Sequence, residues 1–141
     1  MRKLSGKNPQ PDVALGYQAA KSAEEVLRRY SDGERFFQGT DLPEGASFQK
    51  ADLSRADFSD SWMSGVDFRS ANLQNVRFDK SNVKCSDFRN GDLTGASFRG
   101  ALLYGATFAE AKLDNVCTED ATWYGATVTD IRVLAKINST Q

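Results

Sequence analysis

The chain has 141 residues, 40% of them hydrophobic, with 18 Lys or Arg against 19 Asp or Glu and a formal net charge of −1. That is enough for one domain with a single continuous core, and the balanced charge implies no bulk attraction to nucleic acid or to an anionic membrane. There is no histidine, which removes the commonest general base, metal ligand and pH switch; the two cysteines, Cys85 and Cys117, are too few for a disulfide framework.

The first eleven residues are basic and polar, with Pro9 and Pro11, and read as a disordered leader. They lack the apolar stretch of a secretory signal, and no run in the chain approaches the roughly 20 apolar residues of a membrane-spanning helix. The default expectation is a soluble, cytoplasmic protein. Residues 12–33 read as an N-terminal helical cap. Ser22 followed by Glu25 is a capping box, Ala23, Val26, Leu27 and Tyr30 share one helical face with Arg28 and Arg29 on another, and Asp32-Gly33 ends the helix. An earlier turn across Asp12 to Ala20 is a weaker reading. So short a helix needs something to dock on, and the open first coil of the following region is the nearest surface.

From Glu34 to Val133 apolar residues recur every fifth position and their identity every twentieth. Phe48, Phe68, Phe88 and Phe108 form one column, Leu53, Leu73, Leu93 and Leu113 a second, Phe58, Phe78 and Phe98 a third, and Met63, Val83, Leu103 and Trp123 a fourth. Two positions before each comes a small residue, from Ala46 through Ala121 and Ala126, so both positions are expected to face inward. The remaining three positions of each unit face water. The spacing slips by one between Leu42 and Phe48, predicting a bulge or turn around Pro43-Glu44-Gly45 that places Phe37 in the third column and Leu42 in the fourth. At the far end Thr118 stands where the third column calls for Phe, and the larger Trp123 is expected to fill part of that space. Ile131, Val133, Leu134 and Ile137 are expected to form a final strand or short cap, with residues 134–141 as a tail.

Units such as ADLSR, ADFSD, ANLQN and GDLTG resemble the A(D/N)LXX pattern of the pentapeptide-repeat family. The resemblance implies an all-β solenoid, a right-handed quadrilateral β-helix. Stacking about five coils at the strand spacing of about 4.8 Å makes a rod core about 24 Å long. A β-helix has an unpaired edge at each end. The helix of residues 22–31 is a candidate cover for the first, and either a tight tail fold or a homodimer through the C-terminal end would cover the second.

The outward positions supply the candidate sites. Asp67 and Asp87 stack on the first face beside Arg69 and Arg89, which reads either as a solvated charge ladder or as an anion or partner site centred on the two arginines. The carboxylates of Asp52, Asp57, Asp60, Asp67, Asp87 and Asp92 read as turn-forming groups, since a flat-faced rod offers no pocket for catalysis. Cys85, after Lys84, and Cys117 occupy outward slots and cannot by themselves make a zinc site. No catalytic, cofactor-binding or metal-binding residue is expected. On the fourth face Trp62, Leu102, Tyr104 and Tyr124 replace the polar residues found elsewhere. Either the chain's own helix or tail packs there, or the stripe docks an unidentified protein partner or a second copy. The sequence points to a non-enzymatic protein-interaction module without direct nucleic-acid or membrane binding. The resemblance also brings in an alternative, a DNA-mimicking regulator or protector of a type II topoisomerase (DNA gyrase), which the arginines interrupting the acidic columns disfavour.

Overall fold

The structure, a computed structural model, describes residues 16–139; the leader of residues 1–11 lies outside them. The helix α1 (Ala23–Ser31) precedes a four-faced coil. The chain then closes with the strands β1 (Thr122–Trp123) and β2 (Ala126–Thr127) and the helix α2 (Ile131–Ser139).

In the coil each face is a ladder of single-residue parallel bridges between successive turns. Ser47, Asp67, Asp87 and Thr107 line the first face, and Asp52, Asn72, Asp92 and Lys112 the second. Phe36, Asp57, Arg77, Ser97 and Cys117 line the third, and Asp41, Trp62, Asn82, Leu102 and Thr122 the fourth. Each bridge spans one full period of the sequence, as from Asp67 to Asp87, except that Phe36 pairs with Asp57 and Asp41 with Trp62, one position further on. The extra residue falls at the predicted slip, and Phe37 stacks on Phe58 of the third column at 5.5 Å.

The amides of one unit explain its composition. In Ala71–Asn75, the Ala71 amide closes a turn on Phe68 O at 3.1 Å, Asn72 donates back to Ala51 O, and Leu73 and Asn75 donate forward to Asp92 O and Thr94 O. The remaining amide, that of Gln74, is accepted by Asn72 Oδ1 at 3.2 Å. Asp or Asn recurs before the central residue because its side chain satisfies an amide that the coil leaves over. The second turn residue has positive φ throughout, for instance Arg55 at 66° and Asn75 at 60°, the signature of a type II turn.

The interior is a stack of rings. Phe68, Phe88 and Phe108 lie face to face at 5.0 Å, and Phe78 and Phe98 at 5.1 Å. The two columns meet edge to face, Phe88 against Phe98 at 5.7 Å, both favourable ring geometries. The leucine column is buried through Leu93, while Leu113, on the last turn, is half-buried against the core.

At the N-terminal end Ser22 Oγ accepts the Glu25 amide at 3.0 Å, and the Glu25 carboxylate reaches back to the Lys21 amide at 3.1 Å. Replacing Ser22 with Ala is expected to cost about 1 kcal/mol, read from urea unfolding. Ala23 and Val26 join the core cluster. Leu27, expected inward, is exposed, and Arg29, expected outward with Arg28, is only 8% exposed. Its guanidinium lies 5.4 Å from the Phe37 ring centre, donates from Nε to Glu34 and from Nη1 to Glu25 and Gln18 O, and so seals the top of the ring stack with a paired cation. Residues 17–20 are not helical, so the earlier turn is not found in the described part of its range.

The C-terminal end departs from expectation. Earlier turns have positive φ only at their second residue, but Tyr124 (52°) and Gly125 (82°) both have it. That is the pattern of a type I′ hairpin, which reverses the chain instead of carrying it onward. Trp123 consequently pairs with Ala126 and Thr122 with Thr127. Ala126, expected inward, is exposed, whereas Trp123 remains half-buried against the core. The apolar residues from Ile131 form a helix, not a strand. Ile131 and Leu134, one turn apart, are buried with Val128 and extend the same core cluster past the last coil.

Candidate functional site

The coil presents its side chains as four surfaces with different chemistry. On the first face Arg69 grips Asp67 through Nε and Nη2 at 3.0 and 2.9 Å, and Arg89 grips Asp87 likewise at 2.9 and 2.7 Å. Arg69 also lies 3.8 Å from Asp87. The arginines at the centre of the candidate anion site are therefore each matched by an aspartate.

The carboxylates mostly serve the backbone. Asp52, Asp57, Asp67, Asp87 and Asp92 each accept the amide two residues on, and Asp60 accepts Gln38 Nε2 at 2.8 Å. These bonds hold several acids below the usual carboxylate range. For Asp67 the Arg69 hydrogen bond is the main cause, and for Asp52 the Ser54 amide. Burial pushes Asp87 and Asp92 up, but hydrogen bonds from Arg89 and Thr107 to the first, and from Thr94 and Gln74 to the second, outweigh it. A depressed folded pKa stabilises above the ordinary carboxylate range and is lost as pH falls through the folded value. The urea midpoint is therefore expected to hold near neutrality and fall below about pH 4, measured by circular dichroism.

The fourth face differs in kind. Trp62 is 57% exposed, Leu102 41% and Tyr124 71%. Tyr104 is half-buried, its ring 4.6 Å from that of Tyr124, which in turn lies 5.8 Å from Trp123. The Lys84 ammonium stands 4.8 Å from the Tyr104 ring centre and 5.8 Å from that of Trp62. The coil thus assembles side chains from successive turns, distant in sequence, into one aromatic strip threaded by a cation. The four apolar residues and Lys84 were legible on this face from the sequence, but Lys84 was not joined to the strip and Asn82 was not singled out. Their signal was the same period of twenty applied to polar outward positions. Asn82, on the rung between Trp62 and Leu102, is only 4% exposed.

Both cysteines are free thiols, Cys85 exposed and Cys117 half-buried. Among the described residues no group of three or more His, Cys, Asp or Glu is placed to hold a metal ion, and no helix is long and apolar enough to cross a membrane. The surface depressions are open, and one of them, lined by Trp123, Ala126, Val128, Val133 and Leu134, is mainly apolar. Another beside α2, about 440 Å³, runs along Leu113, Asn115, Thr118, Asp130 and Arg132.

This coil, with its period-five core and side-chain-capped turns, defines a repeat solenoid. The family profile described as "Pentapeptide repeat region" matches residues 37–108, just over half of the chain, and the protein belongs to the pentapeptide-repeat family. Solved structures of the same fold include HetL, involved in heterocyst differentiation regulation in the cyanobacterium Nostoc sp. strain PCC 7120. It has a TM-score of 0.59 and 25% identity over 71% of this chain and 46% of its own. A trypsin-treated variant of QnrB1, a plasmid-mediated fluoroquinolone resistance protein, aligns with a TM-score of 0.58 and 22% identity over 61% of this chain and 44% of its own. Rfr23 from the cyanobacterium Cyanothece 51142 aligns with a TM-score of 0.50 and 18% identity over 77% of this chain and 100% of its own. The chain spans less than half the length of the first two. These likenesses establish the right-handed quadrilateral β-helix. No curated protein matches the sequence.

Proposed function

We propose that this protein is a non-enzymatic interaction module that docks a protein partner on its fourth face. The observation that carries the reading is the exposed strip of Trp62, Leu102 and Tyr124 on a rod whose other outward positions are mostly polar. Aromatic residues dominate contact energies at interfaces, and neither α1 nor α2 covers these three. The paired arginines of the first face make a weaker docking point, because an incoming anion must displace Asp67 or Asp87. The same pairing weighs against DNA mimicry toward a type II topoisomerase, since Arg69, Arg89 and Arg99 neutralise carboxylates that would stand in for phosphates. Association through the C-terminal end has less to drive it, because α2 extends the core there.

Affinity capture from the native cell tests the reading. A specific protein retained by the wild type is expected to be lost when Trp62→Ala and Tyr124→Ser are combined, with thermal unfolding unchanged. Capture that is indifferent to both substitutions would rule the fourth face out.

A further inference from the structure

The fourth face holds two donors with no acidic acceptor, which deepens the docking reading and rests on it. Lys84 makes ring contacts, yet among the described residues no carboxylate forms an ion pair with it. Beside it, Asn82 Oδ1 accepts the Lys84 amide at 3.1 Å, which fixes the orientation of the side-chain amide. Asn82 Nδ2 is then buried with no partner, the single such side-chain atom among the described residues. Buried donors in folded proteins are almost always satisfied, so this one marks a place where an acceptor belongs.

The surrounding charge and shape select the occupant. A second copy docked face to face about a two-fold axis would bring Lys84 toward Lys84. A nucleic-acid backbone would run its phosphates past Asp41, on the same ladder next to Trp62, and along a coil richer in acids than bases. One ammonium framed by rings, one amide donor and flanking apolar side chains fit a single carboxylate carried between apolar residues.

We infer that the fourth face binds a protein segment bearing one Asp or Glu flanked by apolar side chains. The carboxylate pairs with Lys84 and turns an oxygen toward Asn82 Nδ2, reached by a rotamer change of the exposed Trp62 or Leu102 beside it. The apolar neighbours lie on Trp62 and on the Tyr104–Tyr124 pair.

Panning a random peptide library displayed on phage against the full-length chain tests this. Enriched peptides are expected to share an acidic residue between Leu, Phe or Trp. As synthetic peptides followed by fluorescence anisotropy, they should bind the Lys84→Glu variant about tenfold or more weakly, and a Lys-for-Glu version of the peptide should regain binding to that variant. Peptides that need Trp62 and Tyr124 but carry no carboxylate, or that ignore Lys84→Glu, overturn the inference and leave the docking face standing. Peptides indifferent to Trp62→Ala with Tyr124→Ser overturn both. Panning that enriches nothing overturns the inference, as does Trp62-dependent binding of a duplex oligonucleotide or Trp62-dependent self-association in sedimentation.

Discussion

Replacing Phe88 with Ala is expected to lower the free energy of unfolding by about 3–5 kcal/mol, the range for deleting a buried aromatic from a core. The site cannot collapse to heal the loss. Phe88 stacks between Phe68 and Phe108 at 5.0 Å on each side and meets Phe78 and Phe98 edge-on. Each neighbour is held at its own level by inter-coil hydrogen bonds, such as Phe68 N to Asp87 O and Phe88 N to Thr107 O. The backbone ladder that orders the column thus prevents it from closing over a gap. Phe88→Leu, which keeps most of the volume, should lose clearly less. Urea unfolding followed by circular dichroism reads both, and equal losses would show that the stacked ring itself, and not the space it fills, carries the stability.

Ser86→Ala is expected to cost about 1–3 kcal/mol although it removes one oxygen. At most levels the small inward residue closes its turn directly, as Ala71 N does on Phe68 O. In the turn one coil before Ser86 that bond is replaced by a relay. Ser86 Oγ donates to Met63 O at 2.6 Å and accepts the Val66 amide at 3.0 Å. Ser81 does the same one unit earlier, donating to Phe58 O at 2.6 Å and accepting the Ser61 amide at 3.2 Å. Both hydroxyls are buried. Without Ser86 Oγ the Val66 amide has no acceptor in the observed geometry, and its hydrogen exchange should quicken along with the loss of stability. Unchanged exchange and stability would mean that the turn closes on Met63 O by itself.

The relay was not legible in the sequence, where Ser81 and Ser86 read only as small residues among the alanines. Size explained why they fit, but which carbonyl a hydroxyl reaches depends on the preceding coil. Arg29 was misread for a related reason. Helical spacing grouped it with Arg28, whereas docking on the first coil places it over Phe37, where Glu25, Glu34 and Gln18 O accept from its Nε and Nη1. On the fourth face the apolar members stood out against polar columns. Lys84 and Asn82 did not, because a lysine and an asparagine in outward slots look ordinary until their partners, or the lack of one, are known.

The sequence by itself determined the coil: its period, the identity of its columns, the inserted residue near Pro43 and the capped start of α1. Each follows from a repeating local rule, apolar side chain in, small residue at the corner, Asp or Asn to hold the turn, and repetition makes such rules readable without coordinates. Only the tertiary structure decided the ends and the surface. The hairpin at Tyr124-Gly125, the helix from Ile131 and the inward turn of Arg29 depend on what the terminal coils leave uncovered. The surroundings of each outward side chain depend on residues a full turn of the coil away, which only stacking brings within reach.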